Sequence, residues 1–177
     1  MGIVALTDAA ELLNAKAVAE GWPFQCDSKL VFDRPELAML RDVWRSRAAK
    51  VGLPTRNDLG AHALKSVLRH LSIMERVHDA ERGVRYRVLH MGSYIAAVMG
   101  EKTGSFIDEG IPAQLLPRWT TPFETILETR TPLRIVSRFE HEKLDYATGE
   151  SFLAPLSSET GEASVLMSCL YLKPREP

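Results

Sequence analysis

The chain has 177 residues, of which 45% are hydrophobic and 25% charged, and its 22 basic and 23 acidic residues leave a net charge of −1. That is the make-up of one globular domain with room for an extra arm. It carries no overall field that would draw it to nucleic acid or to an anionic membrane, and no apolar run reaches the roughly 18 residues of a membrane helix.

The start, MGIVALTDAAELLNAK, places Asp8 and Glu11 where a secretion signal would carry basic and then apolar residues. Cys26 and Cys169 are the only cysteines and form no C-x-x-C pair, so they read as free thiols in a reducing compartment. A cytoplasmic protein is expected.

TDAAELLNAKAVAEG suits a short helix capped by Thr7 or Asp8 and ended by Gly21, followed by an irregular crossing, WPFQCDS. Residues 1–32 are therefore expected as an arm that lies on the domain or is partly disordered. DRPELAMLRDVWRSRAAKVG is the clearest helix: Asp33 and Glu36 have capping-box spacing, Pro35 falls in the first turn, and Gly52 ends it. Leu37, Leu40, Trp44, Ala48 and Val51 form one stripe along it. LPTRNDL is a loop and GAHALKSVLRHL a second short helix.

Two strands follow, LSIMERVH and VRYRVLHM, joined by the hairpin-length DAERG. Gly92 lets the backbone leave the sheet, and SYIAAVMG gives one or two helical turns. EKTGSFIDEG is irregular. IPAQLLPRWTTPFETILETR is helical, with a break or kink expected at Pro122. PLRIVSRFE, GESFLAPLSSE and ASVLMSCLYL supply three more strands, the last two separated by the turn TGE. Strands at both ends of the core with helices between them give an α+β class, one antiparallel sheet with helices on one face.

This order, with LPTRNDL, RYRVLHMGS, ETRTP and FLAPLSSETGE as signposts along residues 36–172, resembles a bacterial family of stand-alone PAS proteins common in alphaproteobacteria. Thr131 departs from the pattern, since the turn at ETRTP would favour glycine. The resemblance implies a five-stranded sheet in the order 2-1-5-4-3, with strands near 70–78, 83–91, 132–140, 149–157 and 163–172. The domains expected are an arm over 1–32, a flanking helix and loop over 33–60, and the PAS domain over 61–174.

The resemblance further implies a signalling or regulatory module without catalysis. Its cavity between sheet and helices would take a small apolar ligand, lined by Met91, Tyr94, Val98, Phe106, Trp119, Phe123, Ile126, Ile135, Phe152, Met167 and Cys169. Leu166 and Leu170 would then lie on the outer face. Such domains are often dimeric, and Leu37, Leu40, Trp44 and Val51 are the expected homodimer interface, the alternative being that this stripe packs back on the outer face of its own sheet. No kinase, cyclase or DNA-binding segment is recognised in these residues, so an unidentified signalling protein is the expected partner. A ligand-free interaction module and a small α+β cavity enzyme are the alternatives.

Reactive chemistry finds little support. His62, His70, His78, His90 and His141 form no cluster of ligand spacing, so no metal is expected. Haem-binding PAS domains present a histidine from the long helix, and residues 112–129 have none. A photoreactive flavin needs a cysteine in the short helical motif, and SYIAAVMGEKTG lacks it. No G-x-S-x-G is present, and Ser157, Ser158, Tyr86, Tyr171 and the Asp108–Glu109 pair read as loop, packing and solvated residues. Arg69, Arg76, Arg82, Arg85 and Arg87 crowd the first hairpin, with Glu75, Asp79 and Glu81 nearby. They read as a salt-bridged face, the alternative being a patch for an acidic partner.

Overall fold

A computed structural model describes residues 8–141 and 144–173, with side chains for 8–138 and 148–173. Among these, six strands form one sheet: β1 Phe24–Asp27, β2 Leu71–Asp79, β3 Gly83–Met91, β4 Leu133–His141, β5 Leu144–Ser157 and β6 Ser164–Lys173. Their order is β1-β4-β5-β6-β2-β3, and every pairing is antiparallel. The sheet is thus six-stranded, not five-stranded as expected. The added strand is β1, which pairs Phe24–Asp27 against Arg134–Ser137 at the β4 edge.

Six α-helices accompany the sheet: α1 Ala9–Glu20, α2 Pro35–Val51, α3 Arg56–Leu59, α4 Ala61–Val67, α5 Ser93–Met99 and α6 Pro117–Thr129. Single 3-10 turns lie at Leu68–His70 and Ile107–Glu109. No helix among the described residues is long and apolar enough to cross a membrane.

The helices between residues 92 and 130 lie on one face of the sheet, joined there by α1, while the flanking helix α2 with α3 and α4 covers the other. On one face Leu37, Leu40 and Trp44 of α2, with Leu59, Leu64 and Val67, pack on Phe152, Ala154, Leu156, Val165, Met167 and Cys169. On the other, Ala10 and Leu13 of α1 and Phe123 and Ile126 of α6 pack on Met74, Tyr86, Val88, Leu133, Leu153 and Leu166. A third cluster on that side joins Ile95 of α5 to Leu170 and Leu172.

The stripe of α2 is consequently spent inside its own chain. Leu37 and Leu40 are 0% exposed and Trp44 7%, with its indole N–H donating to the Pro155 carbonyl at 2.9 Å. Burying each leucine contributes about 1.5–3 kcal/mol. The expected homodimer interface through Leu37, Leu40 and Trp44 is therefore overturned, and Val51, the last member, stands exposed beyond the contact.

Local chemistry explains several boundaries. The helix α2 lacks the expected Asp33–Glu36 capping box. Arg34 precedes it without a side-chain cap, and the amides of Asp33 and Arg34 instead donate to the Glu150 carboxylate at 3.0 and 3.1 Å. Arg134 holds that carboxylate from the other side at 2.7 Å. The helix α6 runs unbroken through Pro122, which only deprives the Arg118 carbonyl of one partner. It ends on Arg130 in the left-handed region (φ 55°), so the strained position lies one residue before Thr131.

Gly92 is needed for close approach and not for an unusual dihedral. Its φ is −65°, but a β-carbon there would sit 2.3 Å from the Arg69 carbonyl oxygen and 2.4 Å from that of Leu68. Its amide donates to the Leu71 carbonyl at 2.8 Å, stitching the start of α5 to the start of β2.

Both sheet edges are occupied along part of their length. The strand β1 covers β4, and the Arg138 amide donates to the Pro23 carbonyl at 2.9 Å. The segment Gly104–Phe106 runs beside β3, exchanging bonds of 2.8 and 2.9 Å with Val88 and bridging Phe106 to Arg87. Within residues 1–32, expected as an arm that lies on the domain or is partly disordered, residues 9–27 supply a helix and a strand of the sheet; residues 1–7 lie outside the described residues.

Candidate functional site

Between the sheet and the roof made by α5, α6 and the 107–111 segment lie two adjoining apolar cavities. The first, of about 80 Å³, lies towards β1 and is lined by Pro23, Phe24, Pro122, Ile135 and Leu153, with Arg118 and Arg138. The second, of about 70 Å³, lies towards β3 and is lined by Met74, Val88, Met91, Ile95, Met99, Ile107 and Ile111. Trp119, Phe123, Ser168 and Leu170 line both.

Small side chains in the floor create this space. Ser151 faces Ile135 on one side and Leu170 on the other, and Ser168 sits between Leu153 and Ser72 in the next row. Ser151 and Ser72 are buried, at 9% and 8% exposure. A leucine at any of these positions would fill the void, whereas a serine leaves room and a hydroxyl. Methionines at the far end supply walls that adapt to what they enclose.

The roof is tied to the floor by charged side chains. The Tyr86 hydroxyl donates to one oxygen of Glu124 in α6, and Arg76 donates to the other at 2.9 Å and to Ser164 at 3.3 Å. Burial, and then the nearby Glu124, push the Tyr86 phenol well above its usual range. On the β3 side Arg85 grips Asp108 at 2.9 and 3.1 Å and Glu109 at 3.2 Å, while its guanidinium lies 3.8 Å from the Phe106 ring centre. Arg87 pairs with Glu75. The arginines of the first hairpin are thus largely committed to internal ion pairs, and Asp108 and Glu109 are partners to Arg85 and not merely solvated.

Of the residues expected to line the pocket, Met91, Trp119, Phe123 and Ile135 do line it. Ile126 is buried close by in the same cluster. Tyr94 and Val98 pack towards Ile95, Leu170 and Leu172, with Tyr94 4.4 Å from the His70 ring. Phe106 lies under Arg85 at the sheet edge.

Phe152, Met167 and Cys169 are on the opposite face beneath α2, a correction of one residue in strand parity. For the same reason Leu170, expected outside, lines both cavities, and Leu166 is buried beneath α6 and α1. The strands β5 and β6 are buried on both faces, so their apolar runs carry no alternation to fix parity. Pro23 and Phe24 of the expected arm were missed as wall residues. The floor serines were missed too, although serine interrupts LSIM, GESF and LMSC where an apolar residue would continue the run.

The described histidines and both cysteines lie away from the cavities. His70 stacks 3.9 Å from the Tyr171 ring and faces the Leu170 carbonyl at 3.1 Å, and burial lowers its pKa. Burial pushes the Cys26 thiol up to about 12 and raises that of Cys169 as well. Neither thiol and no described histidine lines a cavity, so the residues present do not fit a flavin–cysteine adduct or a histidine-held haem there. Among the described residues no group of three His, Cys, Asp or Glu could hold a metal ion.

One family model, described as PAS domain, matches residues 32–171. No curated protein matches the chain. Among solved structures, a light-oxygen-voltage domain studied with a flavin analogue is 11% identical, with 64% of this chain and 84% of that chain covered and a TM-score of 0.42. A Burkholderia thailandensis sensory box histidine kinase/response regulator is 15% identical over 64% and 82%, with a TM-score of 0.36. A Rhodobacter sphaeroides LOV protein is 12% identical over 82% and 70%, with a TM-score of 0.37.

Proposed function

Since the chain belongs to the PAS domain family, whose members are sensory and signalling modules, we propose that it senses a small apolar molecule in the paired cavities and passes the change to a protein partner. The observation that carries this reading is the pair of cavities sharing Trp119, Phe123, Ser168 and Leu170 beneath a roof held by side-chain ion pairs. A ligand there touches α6 directly. Any shift of α6 pulls on Glu124, and through it on Arg76 of β2 and Tyr86 of β3. Side-chain networks of this kind have discrete arrangements, which is what a switch needs. The role is regulatory, with no catalytic step. If two copies associate, they do so through a surface other than the buried stripe of α2.

Native mass spectrometry of the purified chain tests the reading. Added mass that denaturation removes is expected, and Ser168→Leu, which fills the wall common to both cavities, should abolish it. Overpacking costs about 1–3 kcal/mol, so the variant's fold is checked by circular dichroism. A folded Ser168→Leu variant that retains the added mass places the molecule elsewhere. A wild-type chain that neither carries nor takes up an apolar molecule points to a ligand-free interaction module.

A further inference from the structure

The two cavities differ in one respect that bears on what they would hold. Arg118 and Arg138 line the first, whereas no charged side chain lines the second. Arg118 stands in the first turn of α6, where the helix dipole disfavours a cation, and that turn holds no acidic residue to offset it. Arg76, Arg85, Arg87 and Arg134 each hold a carboxylate. Arg118 and Arg138 have none among the described residues. Arg118 is half-buried and Arg138 exposed, and together they place two guanidinium groups on the wall of an otherwise largely apolar space.

We propose, resting on the cavity reading above, that the ligand is an aliphatic chain with one oxyanion head, of which a straight-chain carboxylate is the simplest member. The head lies between Arg118 and Arg138. Guanidinium groups present planar forks of donors that match a carboxylate, and such bonds are about twice as strong as neutral ones. The tail passes Ser151 and Ser168 beneath Trp119 and Phe123 and ends among Met74, Met91 and Met99. Pro23 and Phe24, which precede the matched residues 32–171, wall the head end. Selectivity for the head is therefore partly built by residues outside the family match. The Arg138 amide is bonded to the Pro23 carbonyl at 2.9 Å, which fixes Arg138 relative to that wall.

Calorimetric titration of the full chain with decanoate and with 1-decanol, equal in length and differing in charge, tests this. Decanoate should bind at least about tenfold more tightly, the worth of a hydrogen bond to a charged group. Arg118→Gln with Arg138→Gln should reduce decanoate to the affinity of decanol and leave decanol unchanged, which also reports that the variant's cavity is intact. Equal affinity for both molecules in the wild type, with both lost in Ser168→Leu, overturns the head assignment and leaves the cavity reading standing. A decanoate preference that survives the double substitution overturns it equally. Binding of neither molecule overturns the cavity reading along with it.

Discussion

The side-chain amide of Asn14 and the backbone of Cys26 exchange two hydrogen bonds: Nδ2 donates to the Cys26 carbonyl at 2.8 Å, and the Cys26 amide donates to Oδ1 at 2.8 Å. An asparagine amide has the donor and acceptor of a peptide unit, so α1 acts here as a further strand beside β1. Asn14→Ala leaves both Cys26 groups unpaired, at about 1–3 kcal/mol for each that stays out of water. The Cys26 amide should then exchange with solvent faster, while amides of β2 and β6 keep their protection. Unchanged exchange at Cys26 would show that the pair does not hold β1 in place.

Trp44→Ala should act as a core deletion. Removing a buried tryptophan costs about 3–5 kcal/mol. The urea midpoint should fall accordingly, and the mass measured by light scattering for the folded protein should match that of the wild type. A changed mass with little change in midpoint would return Trp44 to an interface.

Gly92→Ala should destabilise the chain despite an ordinary backbone dihedral. The new methyl meets two carbonyl oxygens of main chain, at Leu68 and Arg69, which cannot rotate away as a side chain could. The expected cost is about 1–3 kcal/mol, read from denaturant unfolding. Stability equal to wild type would mean that the 68–70 turn gives way without penalty.

Stability should fall as the pH drops from about 7 to about 5, in part through His70. Burial lowers its pKa in the folded state, so the unfolded chain binds the extra proton more readily. The contribution is complete above the unfolded pKa and is lost as the pH falls towards the folded one. His70→Phe keeps a ring beside Tyr94 and Tyr171 but does not titrate, so the decline with pH should become shallower. An unaltered slope in urea midpoints taken across that range would rule His70 out as a contributor.

Much of the fold was readable because the turns are local chemistry. The spans expected for the first two strands and for the last differ from β2, β3 and β6 by a residue or so, and Gly83 and Gly161, both with positive φ, mark their hairpins. What could not be read depended on contacts distant in sequence. FQCD is only four residues long and becomes a strand because Ile135 and its neighbours offer an edge. Phe152, Met167 and Cys169 look no different from Leu153 and Leu170 until helices are known to cover both faces. Arg118 and Arg138, twenty positions apart, become one end of a cavity only when α6 is laid across β4.

The covered edges of the sheet constrain how a partner can bind. Extended peptides are often captured by joining a sheet as an extra strand, through main-chain bonds alone. Here the groups that would greet such a peptide are taken: Val88 by Gly104 and Ser105, Arg138 by Pro23, and Cys26 by Asn14. A partner arriving at these positions must read side chains. Its choice of this protein therefore rests on the pattern of surface residues, and a change to one exposed side chain can alter it without disturbing the sheet.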